Sequence, residues 1–564
     1  MTTPDCPPGP VSNTFEGEEK KHYEETGFDA EVASHALRLR GRKLTISIAF
    51  VAGTGFTLFG YDQGVMSALL TAGQFEKVFP QVVVDSSHPN NATLQSFVVA
   101  IYEIGCLMGA LSNLWVGDRL GRRRTIALGG CIMIIGAILQ TTSYSYAQLV
   151  VARIITGIGN GLNTSTVPSY HAELSSAAKR GALIFIEGSL ITFGVMISYW
   201  ASESSAQWRV PIALQIVLAL AMVFGIGFLP ESPRWLVKQN RNAEAIAVIS
   251  ALENKSPDDA EVQRTYHAIR EAVAIEDFGT SSSLGGKHAK LFVGGRSQHF
   301  RRASLGVINQ CFQQITGINL ITYYAASFTS LSEFAGPLCL WHCRRSYFNA
   351  LVCRMLPHVL IAAANGTEYF FASIIAIFII DRIGRRKLML FGAVGQCITM
   401  ILLAVLGSVR GTGAQVVSAV LLFVFNSFFA IGWLGMTWLY PAEIVGLEIR
   451  APANALSTSS NWIFNFVVVM VTGPSFNNIS WGTYIVFAAL NAFIIPVVYF
   501  FFPETAGRSL EDMDVVFALA YNEGVSPVAV SLRKDVPLAG TPEADRILGI
   551  ETIDQKVNIS GETS

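Results

Sequence analysis

Charge is what this 564-residue chain has little of: Asp, Glu, Lys and Arg make up 14% of it, against 51% hydrophobic residues. Soluble domains carry about a quarter charged residues. A chain this poor in charge, with mean hydropathy +0.43, therefore reads as an all-α membrane protein of many spans. A net charge of −1 offers no basic surface, and no nucleic-acid partner is expected. Cysteine is scarce, eight in all. Cys106, Cys131, Cys311 and Cys397 stand singly in apolar runs, where the residue serves as small packing, and this excludes a disulfide framework. Nucleophile–base pairings, metal-ligand spacings and phosphate loops do not stand out either. That argues against an enzyme, and no cofactor or metal is expected. The polar stretch Met1–Arg42 lacks the apolar centre of a cleavable signal, so the first hydrophobic segment is expected to insert and stay.

What the chain has is long apolar runs. A span needs about 20 mostly apolar residues, and such runs fall at 44–68, 94–116, 125–143, 147–170, 181–201 and 208–229. Six more follow a polar stretch, at 303–330, 355–380, 388–408, 414–440, 449–472 and 481–502. The expectation is 12 transmembrane helices in two six-helix halves. The parts are an N-terminal tail (1–43), an N-terminal half (44–229), a central loop with short helices (230–302), a C-terminal half (303–502) and a C-terminal tail (503–564) that is polar and ends without order. Lys and Arg gather in alternate loops, as in Arg119 with Arg122, Arg123 and Arg124, and in Arg382 with Arg385, Arg386 and Lys387. The positive-inside rule then puts both tails and the central loop in the cytosol. Asn91-Ala92-Thr93 falls in the first outer loop as a glycosylation site.

The halves repeat. Asp118-Arg119-Leu120-Gly121-Arg122-Arg123 returns as Asp381-Arg382-Ile383-Gly384-Arg385-Arg386, Glu173 with Arg180 as Glu443 with Arg450, and Pro230-Glu231-Ser232-Pro233-Arg234 as Pro503-Glu504-Thr505 with Arg508. Three motifs in one order at nearly constant offset indicate duplication. Glycine permits the tight reversal, Asp suits a helix end, and arginine reaches carboxylates and lipid phosphates. The glutamates go beyond a positive-inside bias. These residues read as a cytosolic ion-pair gate that holds one conformation and breaks in another. Two further charges stand stranded in apolar runs, Asp62 and Arg153. A charge at membrane depth costs several kcal/mol, so one acid and one base there read as a functional pair.

With these motifs the chain resembles the sugar porter family of the major facilitator superfamily, over about residues 44–515. Further matches are Arg153-Ile154-Ile155-Thr156-Gly157-Ile158-Gly159, Gln313-Gln314-Ile315-Thr316-Gly317-Ile318-Asn319, Pro441-Ala442-Glu443-Ile444 and Pro503-Glu504-Thr505-Ala506-Gly507-Arg508. The resemblance implies alternating access around a central sugar site. A sugar needs amide side chains and an aromatic platform. Gln313, Gln314 and Asn319 flank an expected helix break, with Tyr323 one turn on, and the family's pattern adds Trp438, Asn461, Trp462 and Asn465. Gly188 and Tyr369 stand where the family carries two sugar-binding amides, while Asn365 and the carboxylates of Glu187 and Glu368 lie nearby. The Glu187-Gly188 pattern is similar to a fungal branch that includes glycerol/proton symporters. In proton-coupled relatives the counterparts of Asp62 and Arg153 pair, and separating them lets the acid take up a proton.

The expected partners are therefore a monosaccharide or polyol, protons and the lipid bilayer, with a monomer in the plasma membrane. Proton symport leads; a facilitative uniporter and a non-transporting nutrient sensor remain open. Leu331–Pro357 fits the pattern badly and reads as an insertion or translated intron. Its Cys339, His342, Cys343 and Cys353, with His358, match no common metal spacing.

Overall fold

The structure, a computed structural model, describes residues 31–70, 72–84, 90–175, 180–204, 208–278, 291–292, 294–322, 347–409, 411–446 and 449–549. Tyr323 and most of the 331–357 segment lie outside them.

Apolar runs of bilayer length become long helices, because only a helix satisfies its own backbone in lipid. In the first half these are α1 (Gly41–Leu69), α2 (Asn91–Leu120), α3 (Arg122–Thr141), α4 (Tyr146–Glu173), α5 (Arg180–Ser204) and α6 (Arg209–Gly227). In the second they are α7 (His299–Ile315), α8 (Tyr347–Ile383), α9 (Arg385–Ser408), α10, α11 (Arg450–Ile479) and α12 (Gly482–Phe501). Helix α10 runs Thr412–Phe429, widens into a π turn over Ala430–Leu434, and continues as Met436–Ile444. Nine helices are long and apolar enough to cross a membrane among the described residues. Outside that set, α4 carries a buried polar row that includes Arg153, Asn160, Asn163 and His171. Helix α5 is apolar over Ile186–Ala201, and α7 is interrupted at Thr316-Gly317 before helix resumes at 318–322.

Each half packs on itself, α1 on α5, α2 and α3 on α4, α7 on α11, and α9 on α10 and α12. Small residues bring α2 and α4 close, since a Cβ on Gly157 would meet the Tyr102 carbonyl oxygen at 2.3 Å. The halves meet along α2 with α11 and α5 with α8, pairs that the internal duplication relates to each other.

The ends are built up too. Pro233–Lys238, Asn242–Glu253 and Ala260–Phe278 form short helices in the central loop, and Leu236, Ile246 and Val248 bury into the first half's core. The C-terminal tail is ordered to Gly549. Its helix Leu510–Glu523 starts on a capping box between Ser509 and Asp512, and places Met513, Val516 and Phe517 in the second half's core. Arg302 anchors it, Nη1 to Asp514 Oδ1 at 2.5 Å. A polar composition concealed that apolar stripe; residues 550–564 lie outside the described set.

Candidate functional site

The acid and base that the sequence leaves in lipid come together. Asp62 Oδ1 lies 3.8 Å from Arg153 Nη1, and neither side chain has any exposure. That is an ion-pair separation, too long for a hydrogen bond. The guanidinium is held by α2 instead: Nε donates to the Val98 carbonyl and Nη2 to that of Val99, each at 3.1 Å. Its face lies 4.7 Å from the Tyr102 ring centroid. The base is thus fixed from α2 while the acid on α1 touches it weakly, so the two can part without the arginine moving.

Between the halves is a cavity of about 40 Å³. Its polar wall comes from Gln63, Gln313, Gln314, Asn319 and Asn461, and its aromatic wall from Phe59, Tyr369, Phe429 and Trp438. Gly317, at φ +94°, breaks the helix as its sequence suggests and turns Asn319 back toward the glutamines. Asn319 Nδ2 donates to Gln314 Oε1 at 2.5 Å and to Asn465 Oδ1 at 2.6 Å. Asn461 Nδ2 donates to Gln313 Oε1 at 2.8 Å and to Gln310 Oε1 at 2.7 Å. Gln310 is a member that the sequence reading missed. Its signal was present, one turn before Gln313 and Gln314 on the same helix.

Other expected contacts sit elsewhere. Asn465 orients Asn319 from behind the lining. Trp462 packs edge-on against Phe59 at 5.6 Å between ring centroids, joining α11 to α1. Asn365 is buried beside the α5–α8 contact and is absent from the lining. Glu187 turns to His171, Oε1 to Nδ1 at 2.6 Å. Glu368 accepts a hydrogen bond from the Ser427 hydroxyl. Glu103 on α2, fully buried, is another carboxylate that the sequence reading passed over.

At the basic end the repeated motifs build two matching clusters. Glu231 accepts the backbone N–H of Arg122 at 2.9 Å and of Arg123 at 3.2 Å, capping α3. Glu504 does the same for α9, from Arg385 at 2.8 Å and Arg386 at 3.2 Å. A carboxylate there is favoured by the unpaired donors and the helix dipole. Arg122 reaches Glu173 at 3.3 Å, and Arg385 reaches Glu443 at 3.0 Å. Ser232 donates to Glu173 and Thr505 to Glu443. All these contacts stay within one half. Arg234 and Arg450 are half-buried at the same end; the side chains of Asp118, Arg180 and Asp381 lie outside the described set. Asn91 donates to the Val83 carbonyl at 2.7 Å, a bond that a glycan would have to release.

The family model described as "Sugar (and other) transporter" matches residues 48–517. The sugar transporter STL1 of Saccharomyces cerevisiae is 39% identical over 87% of this chain and 84% of its own length. The major facilitator superfamily transporter mfsA of Aspergillus fumigatus is 35% identical over 92% of this chain and 94% of its own. Among solved structures, the proton:xylose symporter XylE bound to 6-bromo-6-deoxy-D-glucose superposes with TM-score 0.65 at 26% identity, covering 84% of this chain and 99% of that one. The inward-open xylose transporter XylE from E. coli gives TM-score 0.64 at 25% identity with the same coverage.

Proposed function

The chain belongs to the sugar transporter family of the major facilitator superfamily and is a multi-pass membrane transporter, and on that premise we propose that it carries a small polyol or monosaccharide together with a proton. The observation that carries this reading is the wholly buried Asp62–Arg153 pair. An unpaired charge in the bilayer costs about 2.5–3.5 kcal/mol on insertion scales. Separating the pair therefore favours the neutral acid, and proton uptake becomes tied to the change of conformation.

The cargo reading rests on the cavity. Its amides can exchange internal hydrogen bonds for cargo hydroxyls, and Trp438 and Phe59 offer apolar faces. Gly188 and Tyr369 remove two amides and narrow the space with a ring. A volume of about 40 Å³ holds about three waters, room for the smallest polyols in this conformation.

Alternation is supported by where the halves touch. Tyr199 donates to the Thr322 carbonyl at 2.6 Å and Trp200 to Thr367 at 3.1 Å. Both contacts lie near the end opposite the basic motifs, whereas the clusters at the basic end stay within their halves. We read the structure as closed at that far end, with the basic end cytosolic in a plasma-membrane protein that works as a monomer.

The test is uptake of radiolabelled glycerol, xylose and glucose at pH 5 and pH 7.5 in yeast lacking its own transporters, with and without an uncoupler. Glycerol uptake should be higher at pH 5, sensitive to the uncoupler, and lost or uncoupled in Asp62→Asn. Saturable uptake indifferent to pH and to this variant would make the protein a uniporter. Surface expression without uptake of any cargo would favour a sensor.

A further inference from the structure

We propose that His171 and Glu187 form a second proton-carrying site, between the central cavity and the basic end; the proposal rests on the symport reading above. His171 Nδ1 and Glu187 Oε1 lie 2.6 Å apart, and each side chain is 5% exposed. The other ring nitrogen of His171, Nε2, is buried and has no hydrogen-bond partner among the described residues. An imidazole kept for packing normally has both nitrogens satisfied or exposed. One held by a carboxylate on one side and open on the other is arranged to take or give a proton.

Position supports the same role. A Cβ on Gly188, next to Glu187, would lie 3.6 Å from Leu434 Cγ, and Leu434 lines the cavity. His171 precedes by two residues Glu173, which Arg122 and Ser232 hold at the basic end. Arg153 stands on the same helix, about 27 Å away at 1.5 Å per residue. Helix α4 thus carries two buried acid–base couples near opposite membrane faces. A proton that enters with cargo at the Asp62 end has to leave at the basic end, and the second couple is where it can rest. With the proton the couple is imidazolium and carboxylate, net neutral; release from Nε2 leaves neutral imidazole and carboxylate, net −1.

Other ionisable groups at this end of the surrounding helices sit at the helix ends: Arg42 and Lys43 on α1, Arg119 on α2, Arg122, Arg123 and Arg124 on α3, and Glu443 on α10, which Arg385 engages. On α4, Glu173 is engaged by Arg122 of α3. Asp118 on α2, Arg180 on α5 and Asp381 on α8 have side chains outside the described set. The facing stretches of α1 (Phe50–Thr57) and α10 (Ala430–Leu439) carry none.

The experiment uses purified full-length protein in proteoliposomes, with internal pH varied at fixed external pH. Wild type, Glu187→Gln, His171→Gln, Glu187→Asp and Asp62→Asn are compared for gradient-driven net uptake and for cargo counterflow at equal pH. Wild-type net uptake should rise several-fold as the interior is made alkaline. Glu187→Gln and His171→Gln should lose that rise while keeping counterflow, and Glu187→Asp, which retains an acid, should keep part of it. If wild-type uptake follows the gradient and both Gln variants overlay its profile, the second site is refuted and symport stands. If wild-type uptake ignores the gradient, the symport reading fails first and the second site falls with it. Failure of both Gln variants to reach the membrane, while Glu187→Asp does, would make the couple a folding element and equally overturn the proposal.

Discussion

The side-chain oxygen of Gln313 accepts from the amides of both Gln314 and Asn461, so a cargo hydroxyl must break into a continuous chain of hydrogen bonds that runs on to Asn319 and Gln310. Each bond gained is worth about 0.5–1.5 kcal/mol net. Gln313→Ala should therefore raise the half-saturating concentration about ten-fold, the equivalent of about 1.4 kcal/mol, with surface level unchanged. Trp462→Phe makes the contrast. That indole Nε1 has no hydrogen-bond partner among the described residues and its ring packs on Phe59, outside the cavity lining, so a phenyl ring in its place should cost stability, up to about 1.5 kcal/mol, and hold half-saturation within about two-fold. Radiolabelled uptake across a concentration series reads both. The sequence marks Gln313, Gln314 and Asn319 because amides in an apolar run are conspicuous, and the family's pattern adds Asn461; Asp62 and Arg153 read as a pair because each is a charge stranded in an apolar run, although Glu103 is stranded in one too. The sequence does not tell which way α5 is rotated against α4. Glu187 reads as a cavity carboxylate from its place beside Gly188, yet the helix turns it to His171, a residue that in sequence looks like part of the α4 terminus.

Between residues and the whole lie the two basic turns, where backbone and side chain are matched. Gly121 at φ +84° and Gly384 at φ +98° end one helix and open the next. A Cβ on either would stand 2.6 Å from the Oε2 of the glutamate that caps the following helix, Glu231 or Glu504. The glycine therefore serves two needs, a left-handed backbone and room for a carboxylate. Gly384→Ala should destabilise the protein by about 1–3 kcal/mol from the backbone alone. Glu504→Ala should cost a similar amount, about 1.5–3 kcal/mol, through lost charge-assisted bonds to Arg385 and Arg386. Gly413→Ala, where no atom lies within 4 Å, is the neutral control. Thermal unfolding of detergent-purified protein, followed by tryptophan fluorescence, ranks the three. The helices themselves were legible to within a few residues for most spans, since hydropathy over some twenty positions averages out local ambiguity. The C-terminal tail was not. Its core contacts come from a few apolar residues on one face of Leu510–Glu523, diluted by charged neighbours, and their docking depends on a surface that exists only once the second half has folded.

For the molecule as a whole the question is what holds the halves shut at the far end. Tyr199 is the central piece: its hydroxyl is tied to the Thr322 carbonyl, so the ring cannot swing away, and α8 passes directly over it. A Cβ on Gly366 would lie 2.8 Å from Tyr199 Cδ2 and 3.3 Å from the Met196 Cα. Only a residue without a side chain lets α8 approach α5 this closely. Gly366→Leu should wedge the halves apart at this end and leave each half folded, because α8 keeps its own helix and its packing on α10. If the wedge costs the closed state about 2 kcal/mol, its population relative to the open state falls about thirty-fold. A transporter must visit both states in each cycle, so net uptake should fall by more than ten-fold, about 1.4 kcal/mol. Binding of cargo entering from the far end should persist or tighten, because the open state no longer competes with closure. Uptake in cells measured beside equilibrium binding to the purified variant separates the outcomes. Lost uptake with retained binding places the contact in the gate, whereas unchanged uptake would show that α5 and α8 are not the surfaces that close.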